Sequence, residues 1–246
     1  MVKLTPIIAC GNCPIRHNAV CADCDAEELA ILESAKSYKT FPVGARLAEA
    51  GEPLEYFSTI VSGCATLSRT LEDGRRQTVG LLLPSDYIGR PGRATSGYDI
   101  EAVAEVTLCR FDRRKFEELV RTTPHVATRL LTMTLDELDA ARDWAVVLGR
   151  MTAREKIATF LVSLARRDAV TGGRSQEEGE VTLHLPLSRE AIADHLGLTI
   201  ETTSRQITAL RKDGLIDTPS ARTVHIPDFA LLALEAGEDD DGGLII

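Results

Sequence analysis

The sequence predicts an α+β fold: a small antiparallel β-roll, then one long helix, then a C-terminal winged helix-turn-helix. Three observations predict it. Residues 39–110 break into short apolar or alternating runs separated by turn residues. Between Pro124 and Gly149 there is no Gly or Pro, and apolar side chains recur at helical spacing. Residues 187–210 read as two short helices, each with a hydroxyl residue at its start, joined at Gly197.

Ahead of the roll, four of the chain's six cysteines fall in the first 24 residues, as Cys10-Gly-Asn-Cys13 and Cys21-Ala-Asp-Cys24. A terminal segment has no core for thiols to fill, so two such pairs read as ligands for zinc or an iron–sulfur cluster. Two disulfides or idle thiols are the alternative, and disulfides need an oxidising compartment. The first residues carry no signal-peptide pattern. The apolar run at 79–83 is far shorter than the roughly 20 residues that span a bilayer. A cytoplasmic, reducing location without membrane contact is expected. Asp25 is set to cap a helix over residues 25–36.

The roll follows from runs at 57–61, 65–68, 78–83, 101–104 and 106–111, punctuated by Gly51, Gly63, Gly74, Pro84, Gly89, Pro91 and Gly92. Asp73-Gly74 is a hairpin-turn pair, and many short strands with regular turns make a jelly roll or barrel. Cys64, between Gly63 and Ala65, reads as a buried small side chain. In the long helix, Leu131, Leu138, Ala141, Ala145 and Leu148 form one apolar seam among charges. A dimer seam is the preferred reading, and burial within the same protomer is the alternative.

Thr152 and Glu155 have the spacing of a capping box, opening a helix with Ile157, Phe160, Leu161 and Leu164 on one face. A polar loop at 171–179 precedes a strand-like 181–185. Ser188 caps the first helix of the pair, with Ile192 and Leu196 inward. Gly197 supplies the turn, and Thr199 caps the second helix, whose inward residues are expected to be Ile200, Ile207 and Leu210. Glu201, Ser204 and Arg205 then share one face near its N-terminal end. Such helices present that end to base edges in the major groove. Arg205 suits a bidentate bond to guanine and Glu201 accepts from a cytosine amine; the two can also pair with each other. Thr199 and Thr202 flank them as further candidate DNA-binding residues. Strand, turn and strand over 215–226 form a wing.

Between residues 186 and 226, Arg189, Arg205, Arg211, Lys212 and Arg222 are balanced by Glu190, Asp194, Glu201, Asp213 and Asp217. Nonspecific DNA affinity is therefore expected to be modest. The net charge of −9 is partly a tail effect, from Glu235, Glu238, Asp239, Asp240 and Asp241. No nucleotide fingerprint or Ser/His/Asp array supports an enzyme. His17, His125, His184, His195 and His225 are scattered and read as surface or wing residues. The organisation is a cysteine-rich segment (1–24), a roll (25–123), a dimerisation helix (124–149), a winged helix-turn-helix (150–230) and an acidic tail (231–246).

Cysteine segment, roll, seam helix and a winged helix-turn-helix bearing Glu201-x-x-Ser204-Arg205 stand in one order. That order resembles the CRP/FNR superfamily of bacterial transcription regulators, specifically its oxygen-sensing iron–sulfur branch, over residues 10–229. The resemblance implies a cyclic-nucleotide-binding-like jelly roll and a homodimer on double-stranded DNA, with RNA polymerase as a further partner. Glu201, Ser204 and Arg205 would read a TTGAT-type half-site in an inverted repeat. It also implies a [4Fe–4S] cluster on Cys10, Cys13, Cys21 and the distant Cys109. Cys24 is surplus and could replace Cys21 or Cys109. A set made only of Cys10, Cys13, Cys21 and Cys24 would bind zinc as a structural site. Nucleotide-binding rolls of the superfamily carry Gly-Glu-Leu/Ile and then Arg-Ser/Thr-Ala. Here Ile88-Gly-Arg-Pro-Gly-Arg-Ala-Thr95 puts Arg90 in place of the glutamate, so no cyclic nucleotide is expected, while Arg93 leaves anion binding open.

Overall fold

The computed structural model describes residues 9–172 and 179–237; most of the expected polar loop and all of the tail from residue 238 lie outside them. The chain divides into two compact units, Met1–Glu137 and Leu138–Ile246, with the division inside the long helix.

In the first unit a 3-10 turn at Cys10–Asn12 leads through irregular chain to α1 (Ala26–Ala35). The Asp25 carboxylate accepts from the amides of Glu27 and Glu28, and Glu28 closes the capping box by accepting from the Asp25 amide. The roll starts at once. Its strands are β1 (Lys36–Phe41), β2 (Arg46–Ala48), β3 (Tyr56–Ser62), β4 (Ala65–Thr70), β5 (Arg76–Leu82), β6 (Tyr87–Ile88), β7 (Asp99–Ala102) and β8 (Val106–Asp112). They form two four-stranded sheets, ordered β1-β8-β3-β6 and β2-β7-β4-β5.

Strand alternation sorts the side chains into two layers. Val106 and Leu108 of β8 join Ile60, Ala65, Leu82, Ile88, Ile100 and Ala102 in one core. The intervening Cys109 and Phe111 take the opposite face, as do Phe57, Thr59 and Val61 of β3. Between β3 and β4 the chain turns at Gly63 with φ +90°, where a Cβ would lie 2.1 Å from the Glu105 carbonyl oxygen, so only glycine fits. Buried Cys64 follows it. Over the outer face close α2 (Arg113–Thr122) and the start of α3 (Pro124–Arg150). There Phe57, Phe111, Phe116, Leu119, Val126 and Leu130 pack with Val20 and Leu32, and the Phe57 and Phe116 rings stack 3.6 Å apart.

Past Leu130 most of α3 is exposed as far as the buried Val147. Leu131, Leu135 and Leu138 are 60%, 51% and 45% exposed, Ala141 and Ala145 are exposed, and Leu148 is half-buried. The protomer leaves most of this seam uncovered. Leu135, absent from the sequence-read seam, fills the step between Leu131 and Leu138.

The second unit contains α4 (Ala153–Gly172), β9 (Val181–His184), α5 (Arg189–Leu196), α6 (Ile200–Lys212), β10 (Asp217–Ser220), β11 (Thr223–Ile226) and α7 (Phe229–Glu235). The Thr152–Glu155 capping box is made by both of its bonds. Ile157, Phe160, Leu161, Ile192, Leu196, Ile207, Leu210, Ile216 and Ile226 are buried. The wing begins at Asp217, because the Leu215 amide turns back to the Leu210 carbonyl. It gains a third strand, β9, in the order β10-β11-β9. Among the described residues no helix is long and apolar enough to cross a membrane.

Candidate cysteine centre and nucleic-acid interface

Sheet register puts Tyr38 and Thr59 on either side of Cys109. Across this face lies the cysteine segment. Its Ile15 and Ala19 pack with Val61 of β3, and Cys13, Cys21, Tyr38 and Cys109 all border that same apolar knot. Cys10 is held at the side. The Lys36 ammonium donates to its Sγ at 3.2 Å, its amide donates to Glu33 Oε2 at 2.6 Å, and Lys36 and Glu33 pair at 3.0 Å. Arg16, midway between the two Cys pairs, donates to the carbonyls of Cys21 (2.6 Å), Ala22 and Cys24 (2.9 Å). The loop is thereby wound around one guanidinium.

Burial pushes the Cys10 thiol up to about 11 and raises that of Cys21. The Cys109 thiol is pushed up to about 12, first by burial and then by the charges of Cys10, Cys13 and Cys21. Tyr38 is raised by burial and by Cys109, Cys13 and Cys10. Cys24 also rises to about 12, but after burial its causes are Glu28 and Cys21. Its side chain belongs to the larger core with Leu32, Phe57 and Phe116. Cys10, Cys13 and Cys21 thus all act on Cys109, and Cys21 acts on Cys24, which sits in apolar packing that Cys21 and Cys109 also border. The raised thiols of Cys10, Cys21 and Cys109 would ionise more readily beside a bound metal cation.

A zinc tetrahedron, with Zn–S bonds of about 2.3 Å, sets its sulfurs about 3.8 Å apart. Among the described residues no three cysteine sulfurs come mutually within 4.8 Å; the one group of metal-ligand types that does is Asp25, Glu28 and His125. Those atoms already cap α1 and join Glu28 to His125 at 2.8 Å.

Beside the 88–95 loop of the roll, the cavity lined by Tyr56, Phe57, Arg90, Arg93, Phe116 and Glu117 holds only about 10 Å³. Glu117 accepts from the Gly92 amide at 3.1 Å and from Arg113 at 2.7 Å.

In the second unit, Ser188 accepts from the Ala191 amide and Thr199 from the Thr202 amide, capping α5 and α6. Gly197 stands between them with φ +61°. Glu201, Ser204 and Arg205 are all exposed on one side of α6, with Thr202 half-buried beside them. Arg205 donates to Thr202 Oγ1 at 3.2 Å rather than pairing with Glu201. The Glu201 carboxyl is held below the usual range by its own amide and by Thr199, with Arg205 adding a smaller charge effect. A shallow groove of about 350 Å³ runs along Ser204, Arg205, Thr208, Ala209 and Lys212.

Two sequence expectations are corrected. Ile200 is 42% exposed, because the first turn of α6 projects beyond the core that its helical spacing pointed to. His195 is buried, 6% exposed, with its ring stacked on Trp144 at 4.5 Å; the other four histidines are at least partly exposed. Arg16, Glu33 and Lys36 escaped the sequence reading, although a cation between two C-x-x-C pairs is a usable signal.

The family of Crp-like helix-turn-helix domains matches residues 155–234, and that of cyclic nucleotide-binding domains matches residues 38–123. The transcriptional activator protein FnrL of Cereibacter sphaeroides is 55% identical over 235 residues, covering 96% of this chain and 94% of its own length. The nitrogen fixation regulation protein FixK of Bradyrhizobium diazoefficiens is 37% identical over 84% of this chain and 85% of its own. The solved structure of FixK2 from Bradyrhizobium japonicum superposes with a TM-score of 0.71 at 31% identity, covering 80% of this chain and 95% of that one.

Proposed function

The chain belongs to the CRP/FNR family of DNA-binding transcription regulators, and on that premise we propose that it is an oxygen-responsive activator carrying a [4Fe–4S] cluster on Cys10, Cys13, Cys21 and Cys109. One observation carries the reading: Cys109 of β8 and Cys13 and Cys21 of the terminal segment border one apolar knot that Cys24 does not join, although Cys21 and Cys109 also border the core that buries Cys24. The small cavity behind Arg90, with its loop amide taken by Glu117, supports a roll that responds to something other than a cyclic nucleotide.

When bound, the cluster supplies an oxygen-labile crosslink between the segment and β8. Arg16 and Lys36 shape the segment for that crosslink, and Ile15 and Ala19 seat it on Val61. The exposed leucines of α3 then close against a second copy of the chain. The dimer sets two α6 helices about one DNA turn apart, so that Glu201, Ser204 and Arg205 read the halves of a TTGAT-like inverted repeat. About 1–3 kcal/mol of coupling between segment and seam is enough for such a switch. RNA polymerase is the further partner an activator requires, and the reducing cytoplasm is where the thiols stay available.

The test is to purify the protein without oxygen, record visible absorption with iron, sulfide and zinc content, then admit air and titrate DNA. Expected is a brown protein with about four irons per chain that bleaches in air and then loses the repeat. A colourless protein holding one zinc, or an air-treated protein gripping the repeat equally well, overturns the reading.

A further inference from the structure

Lys156, on the first turns of α4, is almost wholly buried, 8% exposed. A buried ammonium needs oxygen partners, and this one has them in an unusual place. It donates to the Leu148 carbonyl at 3.0 Å and to the Leu196 carbonyl at 3.4 Å. Both carbonyls come from the last turn of a helix, where no amide of that helix remains to bond them. Leu148 is near the end of α3 and is the last residue of the seam; Leu196 is the final residue of α5. One cation therefore joins two helix ends whose dipoles both point negative charge at it.

A second interaction spans the same pair of helices. Trp144, one turn before Leu148 on α3, stacks on His195 at 4.5 Å with 22° between the rings. Phe160 of α4 meets that histidine edge-on at 5.8 Å. Next to it on α3, Val147 is fully buried. From Leu196 the chain needs only the Gly197–Thr199 turn to enter α6, so whatever fixes the end of α5 fixes where Glu201 begins.

We propose that Lys156 is a positioning residue for DNA recognition: with the Trp144–His195 stack, it joins the end of the seam helix to the helix that carries the recognition turn. This rests on the reading of α6 as the DNA-reading helix and of α3 as the dimer seam. Lys156 touches neither DNA nor the partner. It acts by keeping α5, and through it Glu201 and Arg205, at a set orientation to the dimer axis. Nonspecific binding needs no such registration, whereas simultaneous reading of two half-sites does.

The chain has one tryptophan, so the joint carries its own probe. The experiment compares full-length, anaerobically purified wild type, Lys156→Arg and Lys156→Met. Each is titrated with a duplex bearing the TTGAT inverted repeat and with a scrambled duplex, with Trp144 emission followed throughout and the dimer state checked by sedimentation. Expected for K156M is at least a tenfold loss on the repeat, less than a threefold loss on the scrambled duplex, an unchanged dimer and a shifted Trp144 emission. K156R, which keeps the cation, recovers part of both. K156M within twofold of wild type on the repeat, with unaltered emission, overturns the proposal. If wild type itself does not prefer the repeat, the DNA-site reading has failed, and the emission comparison decides by itself: no shift in K156M overturns the joint and a shift supports it. Should K156M not fold, His195→Phe, which keeps a ring on Trp144, and His195→Ala, which removes it, repeat the comparison. Loss of the repeat with Ala but not Phe supports the proposal, and equal behaviour of the two overturns it.

Discussion

Arg129, on the first half of α3, donates a 2.8 Å hydrogen bond to the backbone carbonyl of Asn18, in the stretch between Cys13 and Cys21. It stands two residues before Leu131, where the exposed seam begins. The cysteine segment thus has a direct polar hold on the helix that carries the exposed Leu131, Leu135 and Leu138. Arg129→Met keeps the aliphatic stem packed and removes the donor. A charged hydrogen bond of this kind contributes about 1.5–3 kcal/mol. The expected outcome is an anaerobic dimer weakened about tenfold, with the air-treated form little changed. Sedimentation of both forms checks it; an undiminished difference between them removes Arg129 from the switch.

Cys109 and Cys24 make a matched pair of substitutions, since both thiols are pushed up to about 12 yet only the former is acted on by Cys10 and Cys13. Cys109→Ser is expected to yield a colourless protein with less than a tenth of the wild-type iron. Cys24→Ser should keep its iron and sulfide, losing only about 1 kcal/mol of stability from a polar atom in the core. Iron and sulfide analysis of anaerobic preparations decides, and the reverse pattern would make Cys24 the fourth ligand.

These contrasts show what a sequence exposes. The caps at Asp25, Thr152, Ser188 and Thr199 and the turn at Gly197 were readable because a cap is settled within three or four residues. The identity of Cys109 as a neighbour of the terminal thiols came only through family resemblance, because it depends on β8 lying between β1 and β3, a pairing across some 70 residues of chain. Lys36 gives no local sign that it will reach Cys10. His195 stands between Asp194 and Leu196, and nothing in that stretch shows that Trp144 of α3 will stack over it. Ile200 erred the other way, since helical spacing says which face a residue shares and not whether the core extends that far.

On α6, Arg205 and Lys212 border one groove but stand at different distances from the cap that aims the helix. Arg205→Ala should cost about 1–3 kcal/mol and relax the preference at the guanine it reads. Lys212→Ala should weaken all duplexes alike and lower the slope of log affinity against log salt by about 0.9 for each phosphate left unneutralised. Titrations on repeat and scrambled duplexes at several salt concentrations separate the two. A sequence-dependent loss from Lys212→Ala would move it to the base-reading set.

Glu117 offers a test in pH. The Gly92 amide, and then Arg113, hold its carboxyl below the ordinary 4.5. A depressed carboxylate stabilises the fold fully above its unfolded value and loses that contribution as pH falls through the lower folded value. Glu117→Gln cannot ionise, so its melting temperature should lie below that of wild type near neutrality. The gap should close as the pH drops below about 4.5. A gap constant from neutrality down to full protonation would mean that the carboxylate charge does not hold the Gly92 loop.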